Sequence, residues 1–267
     1  MASCDRTPFR VGTRVATLVF AVALLATSAQ AAEDPSPRRS PYLRLFTGIG
    51  VTRPSDLKIR QPTQGTDLTF EQVSWKHKSL STDWDRDSIP YIGVRGGFFF
   101  RHPSWLSLSL EVVHFKVFAK EEELCRVRGS DAGQKVDMVA PMDQFIQQYQ
   151  VSNGVNLVLS SVQAHKRFAR SYRFASGRVD LFGGVGAGVT IPFTRSVVRG
   201  QAQGQYEWGQ LATQLLGGVA WHLSPRWDLS TEYKFTTTTV DGSIAHGDSR
   251  ARLHTHHLVF GLGLHLR

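Results

Sequence analysis

Leu258, Phe260, Leu262, Leu264 and Leu266 place an apolar residue at every second position of the chain's closing segment, with Val259, Gly261 and Gly263 between them. A period of two belongs to extended strands whose faces meet different surroundings. The pattern recurs in eight stretches: Tyr42 to Val51, Ile89 to Phe100, Trp105 to Phe118, Val151 to Gln163, Arg178 to Ile191, Trp208 to Leu223, Trp227 to Val240 and Arg252 to Leu266. Only one cysteine, Cys125, follows Cys4, and Cys4 sits in the N-terminal segment discussed next. An intramolecular disulfide is therefore excluded once that segment is removed. Stability has to come from strand pairing and packing.

The first residues read as a secretory signal. Arg6, Arg10 and Arg14 precede an apolar run from Val15 to Ala26, and the small residues Ser28 to Ala31 follow it. The run is shorter than the roughly twenty residues a spanning helix needs. Cys4 lies before it and not at its end, where a bacterial lipoprotein would need its cysteine, so lipid anchoring is not expected. We expect residues 1–31 to be removed and residues 32–267 to form one β-barrel domain. Removal takes away three of 31 basic and one of 22 acidic residues, so the net charge falls from +9 to +7. An exported basic chain is drawn to anionic lipid or polysaccharide, and no nucleic-acid partner is expected.

The connections carry a rhythm of their own. Arg101 to Ser104 and Ser224 to Arg226 are tight and hold proline and serine, while His165 to Gly177 is of medium length. Thr52 to Ser88 and Ala119 to Gln150 are long and polar, and Phe193 to Glu207 and Asp241 to Ala251 are intermediate. Short turns on one side and long loops on the other describe an outer-membrane barrel with both termini in the periplasm. Thr66 to Trp75 alternates inside the first long loop, which predicts an outward extension of the wall or a flap over the mouth.

Face assignment agrees. Trp227, Leu229, Tyr233 and Phe235 oppose Asp228, Ser230, Glu232 and Lys234. Leu106, Leu108 and Leu110 oppose Ser107, Ser109 and Glu111, and Ile92, Val94 and Phe98 oppose Arg95 and Gly97. Charges fall on the non-lipid side, where they avoid the roughly 2–4 kcal/mol cost of a cation at the bilayer midplane. Trp105, Trp208, Trp221 and Trp227 lie near strand ends, as in an aromatic girdle. A soluble sandwich or lipocalin-like barrel would instead turn its apolar face inward. The reading is an all-β, eight-stranded antiparallel transmembrane barrel of the outer membrane, too narrow for a diffusion pore.

Arg95, Glu111, Asp180, Glu232 and Lys234 then share the lumen, either as a network of ion pairs filling a solid barrel or as a ligand cleft at the outer mouth. The glycine file Gly184, Gly186 and Gly188 leaves room there for a ligand or for large neighbours. "GGVGAG" (Gly183 to Gly188) lacks the G-x-G-x-x-G spacing of a dinucleotide loop. His114, His246, His254, His256 and His257 gather toward the outer rim, where they either lie at headgroup level or help bind a metal together with Glu111 or Asp241. The histidine and serine two apart that lipid A deacylases carry on a final strand are missing, because His256 is followed two positions on by Leu258.

The segments "TDLTFEQVSW" (Thr66 to Trp75), "EVVHFKVFA" (Glu111 to Ala119), "GVNLVL" (Gly154 to Leu159), "EYKFT" (Glu232 to Thr236) and "HHLVFGLG" (His256 to Gly263) together resemble the outer-membrane barrel family that includes the lipid A oxidase of rhizobia. The resemblance implies oxygen-dependent oxidation of the proximal glucosamine of lipid A, with a divalent metal as the cofactor. It implies Glu111, His114 and Glu232 as catalytic residues, Lys116, Lys234 and Arg95 as substrate-binding residues, and His114, His256 and His257 as metal ligands. The alternative is a non-enzymatic structural or lipopolysaccharide-contacting barrel. Implied partners are lipid A, the outer membrane and the barrel-assembly machinery, with the chain a monomer. Against that last partner, the final residues Leu266 and Arg267 depart from the aromatic end such strands usually present.

Overall fold

The computed structural model describes residues 41–77, 91–152, 154–171 and 177–266. The expected signal segment and part of the first long loop lie outside them. Sixteen strands run in chain order among the described residues. They are β1 (Tyr42–Thr52), β2 (Ser55–Gln61), β3 (Thr66–Val73), β4 (Trp75–His77), β5 (Ile92–Phe99), β6 (Leu106–His114), β7 (Val117–Ala119), β8 (Leu124–Asp131) and β9 (Gln134–Pro141). They continue as β10 (Ile146–Val151), β11 (Val155–Phe168), β12 (Val179–Val198), β13 (Gln201–Tyr206), β14 (Gln210–His222), β15 (Trp227–Ile244) and β16 (Gly247–His265). Two single 3-10 turns, Pro62–Gln64 and Met142–Gln144, are the helical residues among those described.

Eight of these strands close a ring. In order around the wall they are β1, β5, β6, β11, β12, β14, β15 and β16, each antiparallel to the next, and β16 pairs with β1 from Tyr42↔His265 to Thr52↔Thr255. A closed sheet leaves no backbone edge unpaired, which is the condition for spanning hydrocarbon with strands. Both ends of the described chain meet at one end of the barrel, the turn end, where the short connections also lie. The loop end is opposite.

The outside carries a continuous apolar belt. Leu45 is 58% exposed, Leu110 57% and Val185 61%, and Val112, Val189, Leu229, Leu258 and Phe260 are exposed with them. On β1 the exposed apolar positions run from Leu43 to Val51, the length a tilted strand needs to cross the hydrocarbon. Trp105, Trp221 and Trp227 stand exposed at the turn end, and Trp208 at the loop end. A soluble barrel could not leave this surface in water. The inside holds Phe46, Phe182, Leu216 and a large set of buried polar groups, so the expected parity is realised strand by strand.

Beyond the loop end the wall continues as two arms. Asp248 to Ala251 of β16 pair with β2, and β3, β8 and β9 follow outward. On the other side Arg195 to Val198 of β12 pair with both β10 and β13, and β7 and β4 follow β10. The segment expected as an extension or flap divides between the arms, β3 in one and β4 in the other. The stretch 119–150, expected as a polar loop, contributes the β8–β9 hairpin and most of β10. Likewise β12 runs on past Ile191, and β15 and β16 meet at a tight turn.

The arms enclose a core. Leu57, Ile59, Leu68, Phe70 and Val127 from one side and Val117, Ile146, Tyr149 and Val198 from the other are buried in a single cluster that continues down to Phe46. Trp75 packs edge-on against Tyr149 at 6.3 Å between ring centroids, and its Nε1 donates to Ser55 Oγ at 2.9 Å. Arg199, in the β12–β13 turn, reaches Asp131 of the β8–β9 hairpin at 2.5 Å. The loop end is thereby capped by packed side chains.

Candidate functional site

The lumen side chains form one ladder of ion pairs. The register sets Arg44, Arg95 and Glu111 side by side on β1, β5 and β6. Arg95 donates to Glu111 Oε2 from Nε (2.8 Å) and Nη2 (2.6 Å), and to Glu232 from Nη1 (3.1 Å) and Nη2 (2.8 Å). Arg44 bridges Glu232 (3.2 Å) and Asp228 (2.8 Å), and Lys234 Nζ reaches Glu111 Oε2 at 3.0 Å. Three cations meet three carboxylates. The Arg95, Glu111 and Glu232 side chains have no solvent exposure.

Aromatic rings flank the ladder. Lys234 Nζ lies 3.9 Å from the Phe46 ring centroid, a close cation–π contact in a dry setting. Room for that ring comes from Gly93 on the neighbouring strand, where a Cβ would fall 2.2 Å from Phe46 carbons. The glycine file of β12 serves its neighbours in the same way. A Cβ at Gly186 would collide with Ser161 Oγ, so the space is taken by side chains of β11.

The residues singled out from the sequence do not all come together. Arg95, Glu111, Glu232 and Lys234 come together in the ladder. His114 does not join them: three positions beyond Glu111 on one strand is the opposite parity, and His114 faces outward with Nδ1 on Asn156 Oδ1 at 2.8 Å. Lys116, past the end of β6, is half-buried. His256 and His257 are adjacent and so point to opposite faces. His256 Nδ1 meets the Tyr233 hydroxyl on the outside at 2.5 Å, and His257 is buried inside with Nε2 on Thr236 Oγ1 at 2.8 Å. His114, His256 and His257 therefore do not fit one metal ion. Asp241 pairs with Arg250 at 2.6 Å.

A second lumen cluster, at the turn end, joins Asp180 and Asp228, which the sequence placed on the inner face, to three histidines it did not single out. His165 is held between Ser107 Oγ (2.8 Å) and Asp180 Oδ2 (2.9 Å), and His265 Nε2 meets Asp228 Oδ2 at 2.8 Å. His222, beside them, is buried. The signal was available: the Ser224 to Arg226 turn sets His222 opposite Asp228, and His265 has the inward parity of Gly261 and Gly263.

Outside, at the loop-end margin of the belt, Arg53, Arg252, His254 and His256 share a patch with Tyr233 and Phe235. His254 stacks parallel to Phe235 at 6.3 Å and bonds Thr237 Oγ1 at 3.0 Å. The Arg53 guanidinium lies 5.8 Å from the Phe235 centroid. Phe235 is opposite His256 and Tyr233 opposite Leu258, so the patch sits one row above the lipid-facing leucine.

In the extension, burial lowers His77 to about 4. Its Nε2 lies 2.8 Å from Thr52 Oγ1. Burial pushes the Cys125 thiol up, which keeps it protonated and unreactive at neutral pH.

No family model matches the chain, and no curated protein matches it. Among solved structures it is similar to Neisserial surface protein A, at 9% identity and a TM-score of 0.42 over 85% of this chain and 97% of that one. It is also similar to the outer membrane protease OmpT of Escherichia coli, at 8% identity and a TM-score of 0.46 over 90% and 100%. A third is the outer membrane protein OprG of Pseudomonas aeruginosa, at 10% identity and a TM-score of 0.41 over 85% and 97%. The closed eight-stranded ring and its apolar belt make the chain a transmembrane β-barrel independently of these likenesses.

Proposed function

We propose that the chain is a monomeric bacterial outer-membrane barrel, with its turn end and both termini in the periplasm, that engages the phosphorylated headgroup of lipid A from its outer surface. The observation that carries this reading is the patch of Arg53, Arg252, His254 and His256 directly above Leu258 and Phe260. Cations and imidazoles at that height meet phosphate, and guanidinium groups bind phosphate oxygens in a bidentate fork. Phe235 and Tyr233 supply the apolar body such interfacial contacts use. The lumen ladder is, on this reading, structural: its members are buried and mutually paired beneath the packed core of the extension.

Native mass spectrometry of the detergent-purified chain with lipid A tests the reading. Binding should fall at least tenfold when Arg53, Arg252 and His254 are replaced together by alanine, and unchanged binding would overturn it. The finer alternative, oxidation of the proximal glucosamine, rests on the family resemblance. Incubation with lipid A and oxygen should then raise the product mass by one oxygen, and no shift under varied metal supply would exclude it. If oxidation does occur, its survival after replacement of Glu111, His114 and Glu232 would deny those three a catalytic role.

A further inference from the structure

The turn-end cluster holds a group whose hydrogen bonding is incomplete. His222, Asp228 and His265 each offer one ligand atom, and these atoms lie within 4.8 Å of one another. They come from the adjacent strands β14, β15 and β16. His222 is 8% exposed and Asp228 1%, yet His222 Nε2 is buried without a hydrogen-bond partner among the described residues. A buried ring nitrogen with no partner is costly for a purely structural histidine. It is the normal condition of an imidazole placed to receive a cation.

Further observations point the same way. Asp228 leans over β16 at Gly263, where a Cβ would fall 2.4 Å from Oδ2 and 2.6 Å from Oδ1. Only glycine there lets the carboxylate reach across to His265. Its other oxygen, Oδ1, is fixed by Arg44 Nη2 at 2.8 Å, an outer contact of the kind that orients a ligating carboxylate. The rings of His222 and His265 lie 5.3 Å apart, and His265 keeps a 12% exposed side chain that opens the cluster toward the turn end.

We infer that His222, Asp228 and His265 form a binding site for a divalent transition-metal ion of the zinc class, tying together the three strands next to the seam where the barrel closes. Two imidazoles and one carboxylate are a borderline-soft donor set suited to zinc, with the fourth position left to water. Metal–ligand distances of about 2.0–2.2 Å separate tetrahedral donors by about 3.3 Å. The His265–Asp228 pair, at 2.8 Å, opens by about half an ångström to reach that spacing, and rotation of the His222 ring brings in the third donor. The site is separate from the lipid A patch, at the opposite end of the molecule.

The test is zinc titration of the full chain, purified in detergent and stripped with a chelator, followed by calorimetry, with cobalt(II) absorption as a second probe. One zinc ion per chain is expected, along with the visible bands of tetrahedral cobalt. His222→Ala removes a nitrogen that makes no hydrogen bond, so the variant should fold, judged by heat-modifiable migration on gels, and should bind zinc about 100-fold more weakly, at the upper end of what even outer-shell changes cost. His254→Ala together with His256→Ala should leave binding unchanged. No stoichiometric uptake of either ion at 100-fold excess over about micromolar affinity, undiminished binding in folded His222→Ala, or loss of binding in the His254/His256 variant would each overturn the site, whatever the outcome of the lipid A experiments.

Discussion

Arg44 and Arg95 stand directly opposite each other across β1 and β5, and both donate to Glu232 Oε1, at 3.2 Å and 3.1 Å. Like charges facing across a strand pair repel. Here the carboxylate of Glu232, delivered from β15 across the lumen, is what allows the arrangement. Loss of that charge leaves two guanidinium groups facing each other in a dry interior.

Glu232→Gln, which keeps the shape and removes the charge, should therefore lower barrel stability by about 3–5 kcal/mol. Asp241→Asn, which breaks the exposed pair with Arg250, should cost less than about 1 kcal/mol. Urea unfolding followed by heat-modifiable migration measures both. Equal effects of the two substitutions would mean that the ladder contributes nothing beyond surface electrostatics.

Gly93 and Phe46 are coupled by contact, since any Cβ at position 93 would meet the ring that sits under Lys234. Gly93→Ala should destabilise the barrel by about 1–3 kcal/mol through overpacking. Adding Phe46→Leu should recover part of that loss, so the double variant is more stable than the sum of the single changes predicts. Strict additivity in a double-mutant cycle would show that the two positions do not touch.

The wall of the barrel was legible because each of its eight strands has two chemically different faces, and a period of two makes that difference visible residue by residue. β9 was not, since "QKVDMVAP" meets water along most of its length and alternates nothing. β12 outran its expected end because Arg195 interrupts the outward apolar file that Phe193 and Val197 otherwise continue, while the backbone pairing goes on. Within the candidate site, parity alone separates His114 from Glu111 and His256 from His257. The motifs of the family resemblance bring them together only as neighbours in sequence. His222 and His265 were readable as inward-facing, but nothing local in the sequence joins strand ends more than forty residues apart.

The belt makes a prediction about placement. Leu45→Arg puts a cation on the lipid face near mid-strand and should cost about 2–4 kcal/mol when folding is measured in phospholipid vesicles. Lys58→Leu, on the outer arm, should change stability by less than about 0.5 kcal/mol. A neutral Leu45→Arg would place that face in water and remove the membrane from the reading.

His77 makes the extension sensitive to acid. Its folded-state value of about 4 lies below the ordinary histidine value of 6.5 because burial penalises the imidazolium. A group depressed in this way binds its proton in the unfolded arm first. Stability is fully present above about pH 6.5 and is lost as the pH falls toward 4, by about 2 kcal/mol at pH 5. Local opening of β4 and β7, read by hydrogen exchange, should accordingly increase about thirtyfold between pH 7.5 and pH 5 after correction for intrinsic exchange. His77→Gln, which retains a partner for Thr52 Oγ1, should abolish that increase while the exchange of the barrel strands stays unchanged. An equal increase in the variant would assign the acid sensitivity to another group.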